Sequence, residues 1–241
     1  MKGKVALVAG GTGGLGRATT LAFLEAGARV VVPYREEDKF VALKKVATSL
    51  PGAGSVAGLL EGSQVNVTDE AAVGALVEGI VQRHGRLDAL VNTLGGYAGG
   101  IKFWEMETEV FERMIALNLR AGFVLVRAAA RVMVKQGSGA IVNVAAKAAL
   151  DHGAGAAAYA ASKAAAVAMM DSLAADLKGT GVRANSILPS IIDTESNRKA
   201  MPGVDFAKLP KPEEIARVIL FLCGDGAKLI NGASVPVYGD S

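Results

Sequence analysis

The sequence predicts an α/β fold built on one doubly wound parallel sheet (a Rossmann fold) with helices on both faces. Three observations predict it. Short apolar runs alternate with longer amphipathic segments along the chain. The strand-like runs are nearly continuous in Val, Ile, Leu and Ala, as strands covered on both faces are. A glycine-rich turn joins the first strand-like run to the first helix-like one. No second composition regime, repeat or long linker interrupts the pattern, so residues 1–241 are read as a single domain.

The elements follow in order. Val5–Ala9 reads as a buried strand, and residues 15–26 as a helix closed by Gly27. Residues 30–32 are a second strand, and residues 36–50 a helix stopped by Pro51-Gly52. Residues 64–67 read as a weak third strand. Thr68-Asp69 then marks the start of a helix over residues 71–83, stopped at Gly85. Ala89–Asn92 is a fourth strand, followed by the loop Gly95-Gly96-Tyr97-Ala98-Gly99-Gly100. Residues 109–134 read as one long helix, 140–144 as a strand, 156–177 as a helix and 182–188 as a strand. A helix over 213–223 and a strand over Ser234–Val237 complete the pattern. Residues 53–62 and 190–212 are the least regular stretches, and loops as long as the second are usually functional.

Composition excludes several classes. Twenty-six basic and 23 acidic residues leave a mild, scattered +3, without the clustered patch of a nucleic-acid surface. The lone Cys223 rules out an intrachain disulfide framework, and two distant histidines, His84 and His152, make no metal motif. No apolar stretch of about 18 residues suggests a membrane span. The first residues run straight into a strand without signal-peptide character, so the expectation is a cytoplasmic protein.

The glycine turn is Gly10-Gly11-Thr12-Gly13-Gly14-Leu15-Gly16. Gly10 permits a sharp exit from the strand, Gly14 lets a pyrophosphate approach, and Gly16 permits close helix–strand packing. The helix then offers free N–H groups and a positive dipole end to phosphate. After the second strand, Tyr34 stands where an NAD-preferring site usually has an acid, and Arg35 follows. A guanidinium there suits a 2′-phosphate, so NADPH is expected over NADH, although Glu36, Glu37 or Asp38 would serve a ribose. Tyr159 and Lys163 are four apart on one helix face. A nearby ammonium is expected to lower the phenol pKa and make Tyr159 a proton donor near neutral pH.

Together these motifs resemble the short-chain dehydrogenase/reductase family over essentially the whole chain. Asn92-Thr93-Leu94-Gly95 is similar to the family's Asn-Asn-Ala-Gly element, and Asn118 to its helix asparagine. Tyr159-Ala-Ala-Ser-Lys163 resembles the catalytic pair, and Pro189-Ser190-Ile-Ile-Asp-Thr194 the segment over the nicotinamide. The resemblance implies Tyr159, Lys163 and Asn118 as catalytic residues. It implies cofactor contacts from Gly10, Thr12, Gly13, Gly14, Leu15, Gly16, Tyr34, Arg35, Asn66 and Val67. Asn92, Leu94, Gly95, Pro189, Ile191 and Thr194 complete that set. It also implies a homodimer or homotetramer, with the small-residue stretches 121–130 and 156–168 suited to an interface or equally to the chain's own core.

One position departs. The family serine lies 13 residues before the tyrosine, where this chain has Ala146. For a ketone reductase the lost oxyanion donor is worth roughly 3–4 kcal/mol. A narrower resemblance addresses this. Residues 95–100, the stretch Ala146-Lys147-Ala148-Ala149-Leu150-Asp151, and Asp193-Thr194 with Asn197-Arg198-Lys199-Ala200-Met201-Pro202 are similar to dihydropteridine reductases, which also lack the serine. Hydride addition to a quinonoid pterin spreads charge over the ring, so no localised alkoxide needs a hydroxyl. This resemblance implies Tyr97, Ala146, Lys147 and Asn197 as substrate contacts, with Tyr97 stacking on a flat ring. Arg198 falls in the same lid segment, and His152 borders the cleft. The expectation is an NAD(P)H-dependent reductase of a planar heterocycle, most plainly a quinonoid dihydropteridine. The alternatives are a carbonyl or 3-oxoacyl reductase that tolerates Ala146, and a non-catalytic dinucleotide-binding redox sensor.

Overall fold

A parallel sheet of seven strands in the order β3-β2-β1-β4-β5-β6-β7 forms the centre of the computed structural model, which describes residues 1–49 and 57–240. The strands are β1 (Val5–Ala9), β2 (Arg29–Tyr34), β3 (Leu60–Gln64), β4 (Ala89–Asn92), β5 (Gly139–Val144), β6 (Val182–Pro189) and β7 (Ser234–Val237). The helices are α1 (Gly14–Glu25), α2 (Glu37–Ala47), α3 (Glu70–His84), α4 (Thr108–Ile115), α5 (Ala121–Gln136), α6 (Ala157–Asp176), α7 (Glu195–Ala200) and α8 (Pro212–Cys223).

Strand alternation sorts the core into two layers. Val8, Val32, Val91, Val142 and Ile187 face Phe23 and Leu24 of α1, Leu43 of α2 and Ile219 of α8. Leu7, Val31, Leu90, Ile141 and Ala184 face Ile80 of α3, Leu125 and Met133 of α5, and Met170 of α6. Apolar runs buried on both faces explain why β1 and β4 read cleanly from sequence. Each fully buried side chain of this size contributes about 1.5–3 kcal/mol. Local signals set the helix ends. The Asp69 carboxylate caps α3 by accepting from the Ala71 and Ala72 amides, a contribution of about 1 kcal/mol. At α8, Pro212 takes the first turn and Glu214 accepts from the Lys211 amide.

Two expectations need correction. The third strand is Leu60–Gln64 rather than 64–67. It pairs only with β2, at the sheet edge, and only Leu60 of its five residues is buried, so the apolar strand signal is missing. The helix expected over 109–134 is interrupted at Ala116–Arg120 by one wide π-turn. Hydrophobic periodicity does not reveal one extra residue per turn. The expected end of the second helix at Leu50, its Pro51-Gly52 stop and residues 53–56 lie outside the described residues. Among the described residues no helix is long and apolar enough to cross a membrane.

Chain order reverses between β1 and β4, so the carboxyl ends of these strands open a crevice. The glycine turn follows β1 and the 95–100 loop lies beyond β4, one on each side of it.

Candidate active site

The turn after β1 is shaped by backbone approach. Gly10 has φ +79°, which favours glycine, and its carbonyl accepts from the Gly13 amide at 2.9 Å. Gly16 presses against that carbonyl so closely that a Cβ has no space. Gly13 caps α1 with no side-chain hydrogen bond, leaving the first-turn amides at Gly14, Leu15 and Gly16 without helical acceptors. The Thr194 methyl lies 2.9 Å from where a Gly14 Cβ would stand, so the chain beyond β6 roofs the turn. Thr12 is half-buried between these contacts. A glycine cradle with unsatisfied amides at a helix start fits a dinucleotide pyrophosphate.

Beyond β2, the Tyr34 ring stacks on Phe40 at 4.8 Å and 8°. Its hydroxyl donates to Glu37 at 2.9 Å, and that carboxylate pushes the phenol pKa up. Glu36 pairs with Lys39 at 2.7 Å. Arg35 is exposed and forms no ion pair among the described residues. Asn66 does not offer a free acceptor, because its Oδ1 accepts from the Thr68 amide and hydroxyl at 3.2 and 2.9 Å. Val67 packs onto the core beside it.

The carboxyl ends of β4 and β5 are tied together by Asn92 Nδ2 donating to Asn143 Oδ1 at 2.8 Å. The Leu94 amide donates back to Asn92 Oδ1 at 3.3 Å. Gly95 lies against Asn118 and Lys163, with a would-be Cβ 3.1 Å from Lys163 Nζ. Asn118 stands in the π-turn, and its side chain is fully engaged. Oδ1 accepts from the Gly96 amide at 2.9 Å, while Nδ2 donates to Gly96 O at 3.1 Å and Ser162 Oγ at 3.0 Å. Ser162 Oγ donates to Tyr159 O at 2.7 Å. Sequence reasoning missed Ser162. Its signal is present, since it is a polar residue on the same helix between Tyr159 and Lys163.

Lys163 is buried and donates to the Val144 carbonyl at 3.0 Å. Its ammonium lies 6.0 Å from the centroid of the Tyr159 ring. The sequence expectation of a lowered phenol is corrected here. Burial, with a smaller contribution from Tyr97, pushes Tyr159 up to about 12. Burial brings Lys163 down to about 8. The phenol is therefore a protonated donor throughout the neutral range. Ala146 follows β5, two residues beyond the Val144 carbonyl that holds Lys163, and is 7% exposed, with a methyl and no hydroxyl.

The Tyr97 ring is 69% exposed and meets the Tyr159 ring edge-on. The loop carrying it is pinned by Asn118 at Gly96 and by the Ile101 amide donating to Gly155 O at 3.3 Å. Lys147 Nζ lies 5.2 Å from the Tyr238 ring centroid, and the Ser190 hydroxyl donates to Tyr238 O. The His152 ring nitrogen lies 3.2 Å from Ala149 O. Residues 190–212 are less irregular than expected, carrying α7 and a short turn at Phe206–Lys208. There Asn197 Nδ2 donates to Ile192 O at 2.9 Å. Arg198 forks onto Asp193 at 2.5 and 2.8 Å and covers the Phe206 ring. Both side chains bind the segment to itself. Pro189 is buried at the end of β6, and Ile191 is 42% exposed.

A phosphate cradle at the switch point, beside a Tyr–Lys–Asn cluster, defines a dinucleotide-dependent oxidoreductase. The model of the short chain dehydrogenase family matches residues 4–204, and the chain belongs to that family. It is 33% identical over 247 residues to the 3-oxoacyl-[acyl-carrier-protein] reductase of Thermotoga maritima, covering 99% of this chain and 98% of that one. It is 34% identical over 248 residues to the D-threitol dehydrogenase of Mycolicibacterium smegmatis, covering 99% and 93%. Among solved structures, a short-chain type dehydrogenase/reductase from Mycobacterium ulcerans superposes with a TM-score of 0.93 at 26% identity, covering 100% of this chain and 90% of that one. The structure of ElxO with NADP bound superposes at 0.90 with 27% identity, covering 99% and 98%.

Proposed function

We propose that the protein is an NADPH-dependent reductase of a planar heterocycle, with a quinonoid dihydropteridine as substrate. The observation that carries this reading is Ala146, two residues beyond the Val144 carbonyl that holds Lys163, which offers a methyl and no hydroxyl. An alkoxide formed from a ketone would lack a donor there, whereas charge spread over a conjugated ring needs none. The nicotinamide, when bound, supplies a hydride. Tyr159 then supplies the proton from its hydroxyl. Asn118 holds the 95–100 loop, and Tyr97 lies across a flat substrate. Arg35 supports NADPH over NADH, because Glu36 and Glu37 are already paired with Lys39 and Tyr34. Oxidation of NADPH by the protein with freshly generated quinonoid dihydropterin tests the reading, and no turnover with either NADPH or NADH overturns it.

A second reading is 3-oxoacyl or carbonyl reduction, supported by the similarity to the Thermotoga maritima reductase. Turnover of a 3-oxoacyl thioester but not of the pterin decides for it. The protein is further proposed to act as a homodimer or homotetramer in the cytoplasm. Exposed Phe123 and Val134 on α5 support an interface, and light scattering measures the subunit count.

A further inference from the structure

The proposed reaction takes place at the carboxyl ends of the strands, and a second cavity opens at their amino ends. It encloses about 950 Å³ and is lined by residues that enter β1, β4, β5 and β6, together with the end of α8. The six residues of β5 separate the two edges by roughly 20 Å.

Its charge is unbalanced. Lys2, Lys178, Arg183, Arg217 and Lys228 line it, and none of them forms an ion pair among the described residues. The carboxylates on its wall are Asp88 and Asp225. Asp88 is already held by Arg86, Lys4 and the Val5 amide. Burial lowers the Arg183 guanidinium pKa, and Asp225 acts on it in the opposite sense. Arg183 is half-buried and fixed in place, donating to Ile230 O at 3.2 Å and Gly224 O at 3.1 Å. Two carbonyls orient this fork without neutralising it. A guanidinium so placed, in a cavity that lysines also line, is suited to bidentate recognition of phosphate oxygens.

We propose that this cavity is a binding site for a compact polyphosphate anion, separate from the dinucleotide cradle. Its occupant carries at least two phosphate groups, because five cations without an ion pair among the described residues line one cavity. Arg183 clamps one phosphate, and Lys178 and Lys228 meet the outer charge.

Calorimetric titration with inorganic tripolyphosphate tests this. The full chain is used at low ionic strength, with NADPH present in excess to block the cradle. The expected result is binding at one site per chain, weakened at least tenfold in the Lys178→Gln/Lys228→Gln double variant. Arg183→Lys is expected to weaken it further, but that change also disturbs the Ile230 and Gly224 carbonyls. The exposed lysine pair is therefore the deciding comparison, controlled by an unchanged melting temperature without ligand. Absence of binding overturns the proposal, and so does binding that the double variant leaves unaltered. Neither outcome depends on turnover, so the site stands or falls apart from the proposed substrate.

Discussion

The rings of Tyr97 and Tyr159 meet at 76° with their centroids 5.0 Å apart. One belongs to an exposed glycine-flanked loop and the other is half-buried on a helix, 62 positions later. The pair gives the proposed proton donor an aromatic neighbour that touches solvent. Tyr97→Ala is expected to raise KM for a planar heterocycle about fivefold, in line with a lost stacking contact of ~1 kcal/mol. Tyr97→Trp should keep it. Steady-state kinetics of the three proteins check this, and equal KM values would remove Tyr97 from the substrate site.

Tyr159→Phe keeps the ring and removes the proton. A loss of about 10²–10⁴ in kcat is expected, with dinucleotide binding unchanged. Binding is read separately, by quenching of protein fluorescence with NADPH.

Ala146→Ser separates the two substrate readings. If the substrate is a pterin, the change should matter little: turnover of the pterin should shift less than about threefold and no ketone activity should emerge. A gain confined to 3-oxoacyl substrates, by up to the ~3 kcal/mol of an oxyanion donor, points to the second reading.

Lys163 gives a pH prediction with a definite sign. Its amine titrates near 10.5 in the unfolded chain and at about 8 in the fold. The unfolded state therefore holds more protons between those values, and stability rises with pH across that window. Below pH 8 the whole burial penalty is present, about 3 kcal/mol at 1.36 kcal/mol per unit. Lys163→Met removes this penalty and also the bond to Val144 O, worth about 1 kcal/mol. Urea unfolding should find the variant about 2 kcal/mol more stable at pH 7, with the gain gone by pH 10.5. A variant less stable at pH 7 would refute the argument.

Arg35→Ser should shift preference from NADPH towards NADH by about tenfold in kcat/KM, one lost charge-assisted contact. An unchanged ratio would assign Arg35 to solvent.

Much of the fold was legible because both sheet faces are buried. Val5–Ala9, Ala89–Asn92 and Ser234–Val237 are placed where the sequence puts them. β3 was not legible, because an edge strand such as Leu-Glu-Gly-Ser-Gln carries its information in alternation over too few residues. In the site, helical spacing puts Tyr159 and Lys163 on one face, and the family resemblance singles the pair out. The Tyr97–Tyr159 contact and the Asn118–Ser162 bond join residues distant in sequence, and no local pattern encodes them. The direction of the Tyr159 shift was hidden for the same reason. Spacing gives the neighbour's charge, while burial comes from the whole fold.

The π-turn at Ala116–Arg120 is in effect a one-residue insertion within a continuous rod. A single-residue deletion there would restore an uninterrupted helix. The rod would survive with both flanks keeping their faces, because the wide turn already absorbs the extra residue, but the side chains within the turn would move. Asn118 would leave Gly96 and Ser162, and the loop bearing Tyr97 would lose its anchor. At this place the molecule is more sensitive to residue count than to residue identity.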